Sequence, residues 1–276
     1  MTDPAATLTK RDIRAHYDLA TPFYRLLWGP HIHHGLWHQG ESPDVAQRQL
    51  IDRLAAEANI CPGERVLDVG CGMGGSSIHL GRLGCEVTGL TLSPVQRLWA
   101  RFAAWRQGVS GRVQFLCRDA EAAEFPAESF DVVWSVECTE HLFDRAAFFR
   151  KAAGWLRPGG RVAVCAWLAG DDPSDPETAR QVEAVCRGFL CPSLGTAADY
   201  LRWMRAAGLE PVCSADLTAQ VARTWEICKE RVRRSKVRLL ARCVGRDMVR
   251  FLDHFDTILT AYRTGAMKYG CFVARR

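Results

Sequence analysis

Glu137, Glu140 and His141 stand within five residues of one another in the run Trp134-Ser-Val-Glu137-Cys-Thr-Glu140-His141. If a helical turn begins there, all three face one pocket wall, because residues three and four apart share a helix face. An imidazole titrates near neutrality, so His141 suits a general base, and a nearby carboxylate would orient the ring or take the proton itself. Some 70 residues earlier a second cluster relies on its backbone: Val66-Leu-Asp68-Val-Gly70-Cys-Gly72-Met-Gly74-Gly75. Its glycines let the chain turn sharply and approach a ligand closely, and the helix that follows offers unpaired N–H groups at its start.

The elements that hold these clusters follow from hydrophobic patterning. Short β-branched runs at 65–69, 86–90, 113–117, 131–136 and 161–167 alternate with helical stretches at 75–82, 94–107 and 145–156. That alternation means βαβ units and a parallel sheet buried on both faces, with ligands at the carboxyl ends of the strands. Residues 13–19 and 23–28 read as two short helices and 45–58 as a third, with a loop rich in histidine and tryptophan, His31 to His38, before the third. Beyond Trp167, helices are expected at 177–189, 197–207 and 221–262 with a break near Gly245, and strands at 209–216 and 268–274. The organisation expected is an α/β fold with a helical N-terminal extension over 1–60, a sheet core over 61–168, and a helical cap over 169–276 carrying the last two strands.

Gly70, Gly72 and Gly75 satisfy the G-x-G-x-x-G spacing of a dinucleotide site, which stays open as an alternative. Asp68 argues against it: an anion two residues before the turn repels a pyrophosphate and attracts an ammonium group. The second strand also ends Gly89-Leu90-Thr91, with no acid to hold a ribose diol. An acidic residue followed by three alternating glycines suits S-adenosylmethionine. Asp68 would serve its ammonium end, Gly70, Cys71 and Gly72 would run along the ribose and methionine chain, Thr91, Leu92 and Gln96 would take the ribose, and Asp119 with Ala120 the adenine. Val136, at the end of the fourth strand, completes the set. The competing role for Asp68 and Asp119 is a helix or turn cap.

The glycine turn, Gly89-Leu-Thr91-Leu-Ser-Pro-Val-Gln96, Arg118-Asp119-Ala120, Phe130-Asp-Val-Val-Trp134 and Leu156-Arg-Pro-Gly-Gly160 together resemble a class I S-adenosylmethionine-dependent methyltransferase. That implies a Rossmann-like seven-stranded sheet. His16-Tyr17-Asp18, His33-His34-Gly35, Gly74-Gly-Ser-Ser77 and Met267-Lys-Tyr-Gly270 resemble the tocopherol methyltransferase group, which shares part of its pattern with cyclopropane fatty acid synthases and plant alkaloid N-methyltransferases. The resemblance places Tyr17 and His33 over the methionine end. It also makes Glu137, Glu140 and His141 the acceptor-side catalytic residues, since alkaloid N-methyltransferases carry Glu-x-x-Glu-His here. Cyclopropane synthases have a cysteine where this chain has His34, which counts against methylenation of an olefin. The activity implied is methyl transfer to N, O or an electron-rich carbon of a small molecule. A lipid-modifying enzyme of the cyclopropane-synthase kind, a nucleic-acid methyltransferase and a cofactor-binding protein without catalysis are the alternatives.

Composition sets the outer bounds. The chain has 276 residues, a formal net charge of +5, and is 48% hydrophobic and 24% charged, which is ordinary for a globular protein and excludes collagenous or disordered classes. No apolar run is long enough for a membrane span and no secretory leader is visible, so the expected compartment is the cytoplasm. The 12 cysteines include no closely spaced pair of the zinc-binding kind, so they are expected to be reduced thiols, with no metal. No nucleic-acid partner is expected, as no base-amine methylation motif or RNA-binding appendage is visible. The segment 223–250 holds ten basic residues against three acidic ones, more than the net charge of the whole chain. It is a solvated face or a peripheral contact with an anionic membrane.

Overall fold

Val66, Leu67 and Val69 alternate between the two faces of a strand and are all buried, as a central parallel strand requires. That strand, β1 (Arg65–Val69), lies beside β2 (Glu86–Thr91), β3 (Val113–Cys117), β4 (Phe130–Val136) and β5 (Leu156–Ala169), all parallel. β6 (Glu210–Asp216) and β7 (Met267–Arg275) complete a seven-stranded sheet in the order β3-β2-β1-β4-β5-β7-β6, with β7 antiparallel to both neighbours. The computed structural model describes residues 8–234, 239, 241–242 and 246–276. The register pairs Asp68 with both Gly89 and Trp134, and Thr91 with Cys117, so the ends of the first four strands share one edge.

Helices cover both faces. On one, α2 (Pro43–Glu57), α3 (Gly75–Arg82) and α4 (Pro94–Arg106) pack Leu50, Leu54, Ile78 and Ala100 against Val66, Val87 and Trp134. On the other, α5 (Arg145–Trp155) and α7 (Ala197–Ala206) bury Phe148, Phe149, Tyr200 and Met204 against Leu67, Val133 and Val162. α1 (Lys10–Leu27), α6 (Pro176–Phe189) and the helices α8 (Thr218–Val221), α9 (Arg223–Arg234), α10 (Arg246–Asp253) and α11 (Phe255–Thr264) join the first layer through Phe23, Tyr24, Phe189, Trp225 and Phe255.

Several local expectations change. The two helices expected in the first 30 residues are one, running through Pro22 and opened by a capping box between Thr9 and Asp12. β5 begins at Leu156 because Pro-Gly-Gly is absorbed as an irregularity in its pairing with β4, between Phe130 and Val132. In the late helical region there is a break at His254, whose ring packs where a side chain at Gly188 would sit. The expected break near Gly245 lies outside the described residues, as do Lys236 and Arg238 of the basic segment. In the described part of that segment, Arg223 donates to the carbonyl of Gln39 and lies over the Trp37 ring, Lys229 pairs with Asp256, and Arg233 with Glu230.

Arg161 joins the sheet to the α2–β1 connection. Its buried guanidinium donates to the carbonyls of Ala58 and Asn59 and to both carboxylate oxygens of Glu64, at 2.5–2.8 Å. The fork is bidentate and nearly dry, so removing one partner strands the other. Arg161→Met is expected to lower unfolding stability by about 3 kcal/mol, measured by urea titration.

Candidate active site

Each glycine of the turn after β1 has its own reason. Gly70, at φ 79°, backs onto Cys138, and a Cβ there would collide with that side chain. Gly74, at φ 84°, lies against Phe115 and Ala100 and caps α3 in the left-handed conformation. Gly72, at φ 51°, has nothing within 4 Å of where its Cβ would be. That open cradle above exposed backbone is what close approach of a ligand requires. Cys71 is pinned below it, its N–H donating to Leu90 at 2.8 Å. Burial pushes the Cys71 thiol well up and that of Cys138 to about 12, so neither is a thiolate, and the described cysteines are free.

The other residues expected at the cofactor border the same edge. Asp68 is buried, and burial raises its carboxyl to about 7 although Ser77 donates to it at 2.5 Å. Thr91 donates to Gln96 at 2.9 Å, with Leu92 half-buried between them. Ser93, the N-cap of α4, donates to Asp18 of α1 at 2.5 Å. Asp119 pairs with Lys10, which also pairs with Glu121, while Ala120 is buried beside it. The first helix is therefore strapped across the strand ends at both its Lys10 and its Asp18.

The three acid–base candidates line one narrow cleft, with Tyr17, Tyr24, Trp28, His33, Trp167, Phe189 and Trp225 among its walls. Their states differ from what spacing suggests. Glu137 is not in the helical turn, which spans Thr139–His141; it sits at φ 53°. Oε1 accepts from the backbone N and Nδ1 of His34 and from the Tyr269 hydroxyl, and Oε2 from Trp167 Nε1, all at 2.7–2.9 Å. Burial opposes its charge, but the His34 ring and these donors hold the carboxyl at about 2. With its oxygens so occupied, Glu137 is a structural anion rather than a base.

Glu140 is the reverse case. Oε1 accepts from Trp167 N at 2.5 Å while buried Oε2 has no partner. Burial, reinforced by the Glu137 charge, raises it to about 8, so it is a neutral acid at pH 7. His141 is oriented by a carbonyl, not a carboxylate: Nδ1 lies 3.0 Å from the oxygen of Leu190. A carbonyl only accepts, so Nδ1 bears the hydrogen and Nε2 is the free lone pair, facing the Tyr17 hydroxyl at 2.8 Å. Burial lowers His141 to about 4 and keeps it neutral. His33 is arranged alike: Nδ1–H goes to the His34 carbonyl at 2.7 Å, and buried Nε2 has no partner.

The chain matches the family described as "Methyltransferase domain" over residues 67–164. It is 35% identical over 226 residues to the 27-O-demethylrifamycin SV methyltransferase of Amycolatopsis mediterranei, covering 81% of this chain and 82% of that one. It is 30% identical over 284 residues to the probable chloroplastic tocopherol O-methyltransferase of Oryza sativa subsp. japonica, covering 97% and 78%. The chain belongs to the S-adenosylmethionine-dependent methyltransferases. Among solved structures, the [4+2]-cyclase SpnF superposes with a TM-score of 0.86 at 25% identity over 98% of this chain and 97% of its own. The cyclopropane synthase MmaA2 of Mycobacterium tuberculosis shares the fold, with a TM-score of 0.86 at 21% identity over 99% and 100%.

In this methyltransferase the open cradle at Gly72 has Asp68 behind it and Thr91, Gln96 and Asp119 along the strand ends, the residues that would hold the cofactor. Several contributors gave no local signal. Leu190 and Tyr269 act through one atom each and Trp167 through two, and they come from 27 to 132 residues away in sequence. Leu190 alone carries a trace, a bulky residue in the left-handed conformation closing α6, which turns its carbonyl toward His141. Gly72→Val should weaken S-adenosylhomocysteine binding by at least about 2 kcal/mol by calorimetry, as the side chain fills the cradle. Glu140 offers a pH test. Its carboxyl is raised from 4.5 to about 8, so the folded state binds the proton more tightly and stability falls as pH rises through that window. Glu140→Gln should remove from that slope up to roughly 1.4 kcal/mol per pH unit, read from urea melts at pH 5 and 8.

Proposed function

We propose that this methyltransferase methylates a hydroxyl group on an apolar small molecule, with His141 as the base. The observation that carries this is the neutral imidazole at the head of an aromatic cleft, its Nε2 lone pair already engaged by a phenolic hydroxyl, that of Tyr17. An acceptor hydroxyl in that place donates to the same nitrogen. S-adenosylmethionine, when bound, supplies an electrophilic methyl group on a sulfonium. As the acceptor oxygen becomes bonded to carbon its proton turns strongly acidic and passes to Nε2, so a base held at about 4 suffices. Tyr17, whose hydroxyl burial holds protonated, returns to Nε2 when the product leaves. Trp28, Phe189 and Trp225 exclude water and give the acceptor its apolar seat. The unpartnered Nε2 of His33 and Oε2 of neutral Glu140 offer an acceptor and a donor to its remaining polar groups.

Two relatives named for O-methylation, of a tocopherol and of a 27-O-demethyl rifamycin, support a hydroxyl acceptor. His34 supports ordinary methyl transfer over methylenation: its ring is buried, giving Nδ1 to Glu137 and taking Trp225 Nε1 at 2.6 Å on Nε2, which leaves no free position for an anion. The test is incubation with isotopically labelled methyl donor and a panel of phenols, hydroquinones, macrolide alcohols and amines, read by mass spectrometry. Label is expected on oxygen of apolar acceptors. His141→Ala should lower kcat roughly 10²-fold on those acceptors while S-adenosylhomocysteine affinity stays within a few-fold. Label on amine nitrogen alone, with His141→Ala unimpaired, would refute the reading.

A further inference from the structure

Away from the cleft, the outer face of α4 carries side chains that a water-facing helix avoids. Leu98, Phe102 and Trp105 follow each other at helical spacing and are 69%, 51% and 66% exposed. The Phe102 and Trp105 rings touch, with centroids 5.9 Å apart, so they form one ridge. α1 continues it. Leu19 and Leu26, one heptad apart, are 48% and 58% exposed, and α1 is fastened to α4 by Ser93 and Asp18.

The charge around the ridge is mostly basic. α4 contains Arg97, Arg101 and Arg106 and no acidic residue, and none of the three forms an ion pair among the described residues. Behind the ridge opens a surface cleft whose walls include Arg25, Arg82 and Arg106 together with Trp99, Phe102 and His31, and whose one carboxylate, Asp44, is paired with Arg48. His31 lies against Gly75 at the start of α3, is nine-tenths buried, and its Nδ1 has no partner. An apolar ridge flanked by unpaired arginines, with a basic cleft beneath it, matches the chemistry of a bilayer interface: acyl chains for the ridge and phosphate for the cleft.

We infer that the α1–α4 face docks this methyltransferase on an anionic phospholipid surface, with Leu98, Phe102 and Trp105 entering the interface and the arginine-walled cleft receiving a lipid phosphate. A second copy of the chain fits less well, because a twofold contact through this face would set the α4 arginines against their own kind. The site geometry gives the docking a use. The inner face of α1 carries Tyr17 and Tyr24, which wall the acceptor cleft, so its outer face on the bilayer brings that cleft next to lipid-dissolved molecules. This use rests on the apolar-acceptor reading; the docking does not. It also differs from contact through 223–250, where Arg223, Lys229 and Arg233 already have partners in Gln39, Asp256 and Glu230.

The experiment is flotation of the purified protein, at low salt, with vesicles of phosphatidylcholine alone or mixed equally with phosphatidylglycerol. Co-flotation is expected only with the mixed vesicles. Phe102→Ser with Trp105→Ser should reduce the bound fraction roughly tenfold. Arg101→Gln with Arg106→Gln should bring binding down to the level on phosphatidylcholine, while Arg231→Gln with Arg233→Gln leaves it unchanged. Circular dichroism confirms that each variant folds, and turnover of a water-soluble acceptor without vesicles should be unaffected by the aromatic pair. Three results would each overturn the inference: no flotation of the wild type, flotation indifferent to the aromatic pair, or flotation abolished by the Arg231 and Arg233 changes. Loss of a sedimenting dimer in the aromatic variant, without flotation of the wild type, would instead make this face a contact between copies. Flotation reads no catalysis, so its failure leaves the proposed acceptor standing.

Discussion

A carboxylate with no access to water needs every lone pair answered, and Glu137 is answered from three distant parts of the chain. The His34 loop, the indole of β5 and the phenol of β7 all converge on it. Because an unanswered anion there would be prohibitive, these segments are located relative to one another by a single group. His34 passes the constraint on: its far nitrogen takes Trp225 and Tyr262, so α9 and α11 are drawn over the same point. The acceptor cleft is the space left among elements that Glu137 has brought together.

Within that space, near-identical side chains are pushed to opposite states. Glu137 is charged because donors surround it; Glu140, three residues on, is neutral because burial and the Glu137 charge outweigh its one donor. The two histidines that face the cleft are neutral through burial, each with its protonated nitrogen turned to a carbonyl and its lone pair inward. Separation of this kind lets one site hold a donor, two acceptors and an anion at one pH. It also explains why the walls are aromatic: water would equalise the states.

The part of this arrangement legible in sequence is the part written locally. Strand periodicity and the glycine turn are local, so the parallel sheet and the edge that carries the glycine turn follow from residues 65–167 alone. Glu137, Glu140 and His141 are recognisable as a group for the same reason. Their individual states are not, since they depend on His34, Trp167, Leu190 and Tyr269, which are brought close only by tertiary folding. Residues 13–19 and 23–28 read as two helices, yet tertiary packing of Phe23, Tyr24 and Trp28 carries α1 through Pro22 as one. Of the histidines in the 31–38 loop, His31, His33 and His34 become core while His38 stays exposed, and His33 and His34 turn Nδ1 to the His34 carbonyl and to Glu137.

The last strand in chain order is an interior one. β7 lies between β5 and β6, so until residues 267–275 are in place β5 has an open edge and β6 has no neighbour. The same strand brings Tyr269 to Glu137. The residues of β1 to β4 are therefore made before the strand that covers the open margin of β5 and supplies one of the four hydrogen bonds of Glu137, so that margin is a hazard of the unfinished chain.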